Sequence, residues 1–189
     1  MMDVHVRRPS DAYLTGLLAR CKNDDLTYAP TGCSLDESTP EGFTRRHWSA
    51  TLAPSAAFAR AVDALSQWRV QELSGLLVRT DGPVAVGTNV AMSAPLPFVG
   101  FVDVTCRIVT IVDEPDRFGF AYGTLTVHPE RGEEAFVVTR TDDSLRFDVT
   151  AVSSHANVLT RLAAPIADRL QASASARYLR AMERLTLAP

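Results

Sequence analysis

From Phe118 to His128 the chain alternates, with Phe118, Phe120, Tyr122, Thr124, Thr126 and His128 on one side and Gly119, Ala121, Gly123, Leu125 and Val127 on the other. A repeat of two residues is the mark of a β-strand. In the following Pro129-Glu130-Arg131-Gly132-Glu133, Gly132 suits the left-handed third position of a three-residue hairpin loop. That register predicts Pro129 opposite Glu133, His128 opposite Glu134, Thr126 opposite Phe136, Thr124 opposite Val138 and Tyr122 opposite Arg140. A second turn at Asp142-Asp143 sets Arg140 against Leu145, Val138 against Phe147 and Phe136 against Val149. One face of this three-stranded meander is then aromatic and branched, and Arg146, Asp148 and Thr150 lie on the wet face.

Elsewhere the spacing of apolar positions predicts a mixture of helices and strands. Ser10 caps a first helix running to about Asn23, with Leu14, Leu17, Leu18 and Cys21 on one stripe. Asp24 to Gly42 is irregular and rich in Pro, Thr, Gly and Ser. Phe43 to Leu52 alternates as a strand. Pro54-Ser55 opens a second helix whose stripe is Phe58, Ala61, Val62, Leu65 and Trp68; Trp68 is expected in the core. Strands are expected at Val70–Val78, Val84–Met92 and Val99–Val112, separated by Asp81-Gly82-Pro83 and Ala94-Pro95-Leu96-Pro97. In the last of these strands Asp103, Thr105 and Arg107 share a face, which is either wet or turned to a cavity. A long helix closes the chain from Ala156 to Leu185, with Leu159, Leu162, Ile166, Leu170, Ala174, Tyr178, Met182 and Leu185 on one face and a bend at Pro165. Arg161, Arg169, Arg180 and Arg184 mostly avoid that face.

Composition narrows the function classes. The 189 residues make one ordinary domain, with residues 1–42 expected as a helix-and-loop extension packed on a main domain of residues 43–189. A net charge of -3 gives no electrostatic case for nucleic acid. Lys22 is the only lysine among many arginines, a bias expected of a high-GC bacterial genome. Cys21, Cys33 and Cys106 form no metal pattern and suit a reducing compartment. The first residues lack the apolar core of a signal peptide, and no apolar run reaches the ~20 residues of a membrane span, so a cytoplasmic location is expected. There is no Gly-x-Ser-x-Gly elbow, phosphate loop or dinucleotide fingerprint, so neither a cofactor nor a metal is expected.

The predicted order is helix, loop, strand, helix, a run of six to seven antiparallel strands and one long terminal helix, an α+β arrangement. A curved sheet roofed by one helix is not filled completely, and a ligand cavity is the natural consequence. GFAYGTLTVHPERGEEAFVV, with RIVTIVDEP before it and RLAAPIADRL and ARYLRAM after it, resembles the family called domain of unknown function 1990. TYAPTG, PEGF and AFARAVDALSQWRV are similar to that family too, so the resemblance covers most of the chain. The family is similar in turn to START-like, or helix-grip, domains, which implies a cavity beneath the C-terminal helix and names no reaction.

Two functions follow. In the first, a small apolar or amphipathic molecule is bound by an aromatic wall of Phe118, Phe120, Phe136 and Phe147, with Thr124 beside it and Tyr122 and Arg140 orienting the polar end. In the second, a cofactor-independent cyclase or isomerase acts on a small hydrophobic, polyketide- or isoprenoid-like substrate. His128 and Glu134 would serve as the acid/base pair and Tyr122 as a hydrogen-bond donor to a developing oxyanion. A third, weaker possibility is an interaction module whose partner covers Asp24 to Gly42.

Overall fold

Ser10 caps the first helix as its spacing predicts: its Oγ accepts the Tyr13 amide at 3.2 Å, and helix α1 (Asp11–Cys21) buries Leu14, Leu17, Leu18 and Cys21. It follows a two-residue strand, β1 (Val4–His5). The computed structural model describes residues 4–52, 54–96, 99–155 and 164–187. The remaining strands are β2 (Thr44–Leu52), β3 (Leu77–Thr80), β4 (Asn89–Leu96), β5 (Gly100–Glu114), β6 (Arg117–Thr124), β7 (Glu130–Arg140) and β8 (Leu145–His155). Helices α2 (Phe58–Ser66) and α3 (Arg69–Leu73) connect β2 to β3, and α4 (Ala164–Leu187) follows the sheet.

All pairings are antiparallel, in the order β2-β8-β7-β6-β5-β4-β3. Strand β1 pairs Val4 with Val102 and His5 with Phe101, on the stretch of β5 that precedes its first β6 partner, Cys106. The meander is a curved sheet gripping a long C-terminal helix. Its inner face and helices α2, α3 and α4 share one core that includes Trp68, Phe120, Phe136, Phe147 and Met182. The outer face is covered by α1 and, beside it, by the segment from Leu26 to Phe43.

The β7–β8 hairpin has the expected register, Arg140 with Leu145, Val138 with Phe147 and Phe136 with Val149. The β6–β7 hairpin does not. Tyr122 pairs with Glu134 and Phe120 with Phe136, and Arg140 lies beyond the far end of β6. The strand stops at Thr124 because Leu125 turns into the outer cluster beneath α1, where it is fully buried. The turn therefore falls between Thr124 and Glu130, and Gly132 lies inside β7. Its φ of +150°, and an added Cβ that would strike the Val152 carbonyl, mark it as a point where the sheet bends tightly.

Other expectations are also corrected. Arg69–Leu73 is helical, not strand: Trp68 adopts φ 60°, the chain re-enters a helix, and Gly75 at φ 98° releases it into β3. Val70 and Leu73 were spaced for that helix. Strand β4 starts at Asn89, whose amide and side chain both bond Asp81, and it continues through Pro95 to Leu96. Pro95 lies past the last β3–β4 pair, Leu77 with Ser93, where β4 has no strand partner on that side among the described residues and proline is tolerated. The face carrying Asp103 is neither wet nor turned to a cavity. Asp103 is fully buried under the N-terminal segment, accepting from Tyr13 Oη and paired with His5 Nε2, both at 2.7 Å. The stretch 156–163 lies outside the described residues, and with it the expected helix start at Ala156 and the preceding turn against which a bend at Pro165, the second residue of α4, would show.

Candidate functional site

The inward-facing residues shrink and become polar along three adjacent strands. On β6 they run Phe118, Phe120, Tyr122, Thr124; on β7, Val138, Phe136, Glu134, Gly132; on β8, Phe147, Val149, Ala151, Ser153. At the large end the rings pack on one another. Ring centroids are 5.0 Å apart for Trp68 and Phe120, 5.6 Å for Phe120 and Phe136, and 5.1 Å for Phe136 and Tyr178 of α4, the last edge to face. This half of the space between sheet and helix is solid. At the small end Ala94, Ala151, Ala174 and Gly132 leave a cavity of about 380 Å³. Leu76, Met92, Val102, Val104 and Leu170 contribute apolar wall, and the volume is within the size range of small-molecule sites.

The polar groups of this cavity sit at its boundary with the aromatic plug. Tyr122 and Glu134 face each other across β6 and β7, and the Tyr122 hydroxyl donates to Glu134 Oε2 at 2.7 Å. Loss of solvation pushes the Glu134 carboxyl up to about 7, against the Tyr122 hydrogen bond and with a smaller contribution from the charge of Glu130. Burial, and then the charge of Glu134, hold the Tyr122 and Tyr178 phenols well above their ordinary range. His128 lines the same cavity from the β6–β7 turn. Burial pulls its imidazole down to about 4, and the Glu130 amide donates to its Nδ1 at 3.0 Å. The same Nδ1 lies 3.1 Å from the Glu130 carbonyl, so Glu130 holds the ring through its own backbone in either tautomer.

Glu133, next to Glu134, points to the outer face and anchors the irregular segment. It accepts from the Tyr28 hydroxyl at 2.5 Å, the Gly32 amide at 2.8 Å, the Ser34 amide at 3.0 Å and the Ser34 hydroxyl. Tyr28 can reach it because Gly123, the β6 partner of Glu133, has no side chain: a Cβ there would come within 2.6 Å of Tyr28 Cε1 and closer still to its hydroxyl. Arg45 holds the same loop through the carbonyls of Cys33 and Ser34.

The structure thus brings Tyr122, Thr124, His128 and Glu134 to one cavity and leaves the other expected site residues outside it. Phe120, Phe136 and Phe147 are fully buried in the plug, and Phe118 packs at its far edge. Arg140 is exposed, binds Asp116 and lies over the Phe58 ring at 5.0 Å. The expected Glu134–His128 pair is also corrected, because Glu134 is held by Tyr122 and His128 by Glu130. Arg177, Tyr178 and Gln171 on α4 complete the lining and were not singled out as site residues. Their signal was present: they share the helix face of Leu170 and Ala174 at offsets of three, four and seven residues. Among the described residues no three His, Cys, Asp or Glu side chains gather as a metal site, and no helix is long and apolar enough to cross a membrane.

An antiparallel sheet gripping a C-terminal helix, with a cavity beneath that helix, defines a helix-grip or START-like protein. The chain belongs to the family described as domain of unknown function (DUF1990), whose model matches residues 27–181. A UPF0548 protein of Deinococcus radiodurans is 30% identical over 193 residues, covering 95% of this chain and 96% of its own. Among solved structures, truncated norcoclaurine synthase from Thalictrum flavum has a TM-score of 0.54 at 17% identity, over 78% of this chain and 95% of that one. The di-domain ARO/CYC StfQ from the steffimycin biosynthetic pathway has a TM-score of 0.53 at 13% identity, over 76% of this chain and 50% of that one. At these identities the structures share the fold with this chain.

Proposed function

We propose that this protein binds one small, mostly apolar molecule in the cavity under α4, with a polar group of the ligand at the Tyr122–Glu134 pair. The observation that carries this reading is the division of the interior into a packed aromatic half and a half of about 380 Å³ kept open by Ala94, Ala151 and Ala174. Apolar walls supply the affinity, and a few placed polar groups orient the ligand. Fluorescence titration with N-phenyl-1-naphthylamine tests it: one probe per chain is expected, lost in a folded Ala174→Trp variant whose indole fills the space. Unchanged probe affinity in that variant would contradict this placement.

A second reading, a cofactor-independent enzyme of cyclase or isomerase type, is favoured by one observation, a carboxyl near 7 hydrogen-bonded to a phenol inside an apolar cavity. Such a group exchanges protons at neutral pH, and Tyr122 would donate to a developing oxyanion. Glu134 takes the acid/base role in this reading, since His128 near 4 is a weak base. The names of the two similar folds, a synthase and an ARO/CYC protein, are consistent with chemistry on this scaffold. Turnover that survives Glu134→Gln would remove this reading and leave binding intact.

A further inference from the structure

Arg177 is the one arginine or lysine lining the cavity among the described residues. It projects from α4 one turn beyond Ala174 and one residue before Tyr178. Its Nε donates to the Ser74 carbonyl at 3.2 Å and its Nη1 to the Ser173 hydroxyl at 3.0 Å. Both acceptors are neutral. No ion pair joins it to a described carboxylate: of the three in the lining, Glu134 is engaged by Tyr122, Glu133 is enclosed by donors from the 24–42 segment on the opposite face, and Glu130 has a partner of its own. Among the described residues Nη2 has no hydrogen-bond partner. Arg177 is half-buried, and the planar fork it presents at the lining matches a carboxylate or similar oxyanion. Gln171 lines the same cavity two turns earlier and adds a neutral side-chain amide.

We infer that the ligand carries an oxyanionic group, a carboxylate being the simplest, and that Arg177 receives it while the apolar body lies against Met92 and Val104. The inference rests on the binding reading above and adds the chemical class of the ligand. Two polar poles then set its orientation. The anionic end sits under α4 at Arg177, and any hydroxyl or carbonyl on the body meets the Tyr122–Glu134 pair at the floor. Ser173 and the Ser74 carbonyl position the guanidinium before the ligand arrives, which lowers the ordering cost of binding.

The test uses N-phenyl-1-naphthylamine as a neutral reporter and decanoate and decan-1-ol as competitors, a pair of equal chain length that differs in charge. In the wild-type protein decanoate is expected to displace the reporter at about tenfold lower concentration than decan-1-ol, the factor a charge-assisted hydrogen bond supplies. In Arg177→Gln that preference, measured against the variant's own affinity for the reporter, shrinks to less than about twofold. Equal displacement by the two competitors in the wild type, or a preference that survives Arg177→Gln, overturns the assignment and leaves the binding reading standing. Failure of the reporter itself to bind wild-type protein overturns both. The wild-type comparison is decisive even if the variant does not fold.

Discussion

Tyr122 and Glu134 stand directly opposite each other on neighbouring strands, and the phenol donates to the carboxylate at 2.7 Å on the boundary between a packed aromatic core and a cavity. That hydrogen bond favours the ionised carboxylate, while burial opposes it more strongly. Tyr122→Phe therefore moves the Glu134 carboxyl above about 7, as read from the carboxyl carbon resonance during a pH titration. Leaving the carboxyl without its donor also lowers stability, by roughly 1–3 kcal/mol where it is ionised. A Glu134 titration unchanged in Tyr122→Phe would contradict the coupling.

Glu134 and His128 give stability opposite dependences on pH. Glu134 titrates near 7 in the fold against 4.5 unfolded, so its contribution is complete below 4.5 and is lost as pH rises to 7. His128 titrates near 4 against 6.5 unfolded, so its contribution is complete above 6.5 and is lost as pH falls to 4. Each is worth at most about 3 kcal/mol, and over pH 4.5–6.5 the two oppose each other. Relative to wild type, Glu134→Gln should become more stable as pH rises through this window, and His128→Asn less stable. Denaturant titrations at three pH values check this, and parallel curves for all three proteins would refute it.

Gly123 is required by Tyr28. In Gly123→Ala the new methyl meets the Tyr28 ring, displaces its hydroxyl from Glu133 and costs roughly 2–4 kcal/mol, combining overpacking with a lost charged hydrogen bond. Most of that cost should vanish in a Tyr28→Ala background, a coupling measured by a double-mutant cycle. Additive effects would show that the loop does not seat on Gly123.

Phe136 separates stability from binding. It touches Phe120, Tyr122 and Tyr178 and is fully buried in the plug. Phe136→Ala should cost roughly 3–5 kcal/mol. The gentler Phe136→Leu should lower the melting temperature yet hold N-phenyl-1-naphthylamine affinity within about twofold, a difference of about 0.4 kcal/mol. A large loss of affinity would return Phe136 to the ligand site.

The α+β arrangement, the gripped terminal helix and the β7–β8 register were legible because Leu145, Phe147 and Val149 alternate without interruption and Asp142-Asp143 fits only one turn. The β6–β7 register was not, because the alternation of Leu125 and Val127 continues past the real strand end. Only the outer cluster under α1 explains why Leu125 leaves the sheet. That error carried Arg140 to Tyr122 and made a ligand wall of aromatic side chains that instead pack on one another. The cavity itself had a readable sign, the succession from Phe to Tyr to Thr on β6 and from Phe to Ala to Ser along β8. Its other walls come from Met92, Val104 and Arg177, residues brought together by non-local packing. Buried Asp103 was ambiguous for the same reason, since its cover is a helix nearly ninety residues upstream.

Native mass spectrometry of the protein purified from its own host tests most directly whether the space under α4 is a ligand site. The expected spectrum shows each chain with one added small mass, released on denaturation and missing from Ala174→Trp. A chain of bare sequence mass in every preparation, together with no uptake of N-phenyl-1-naphthylamine, would contradict the account.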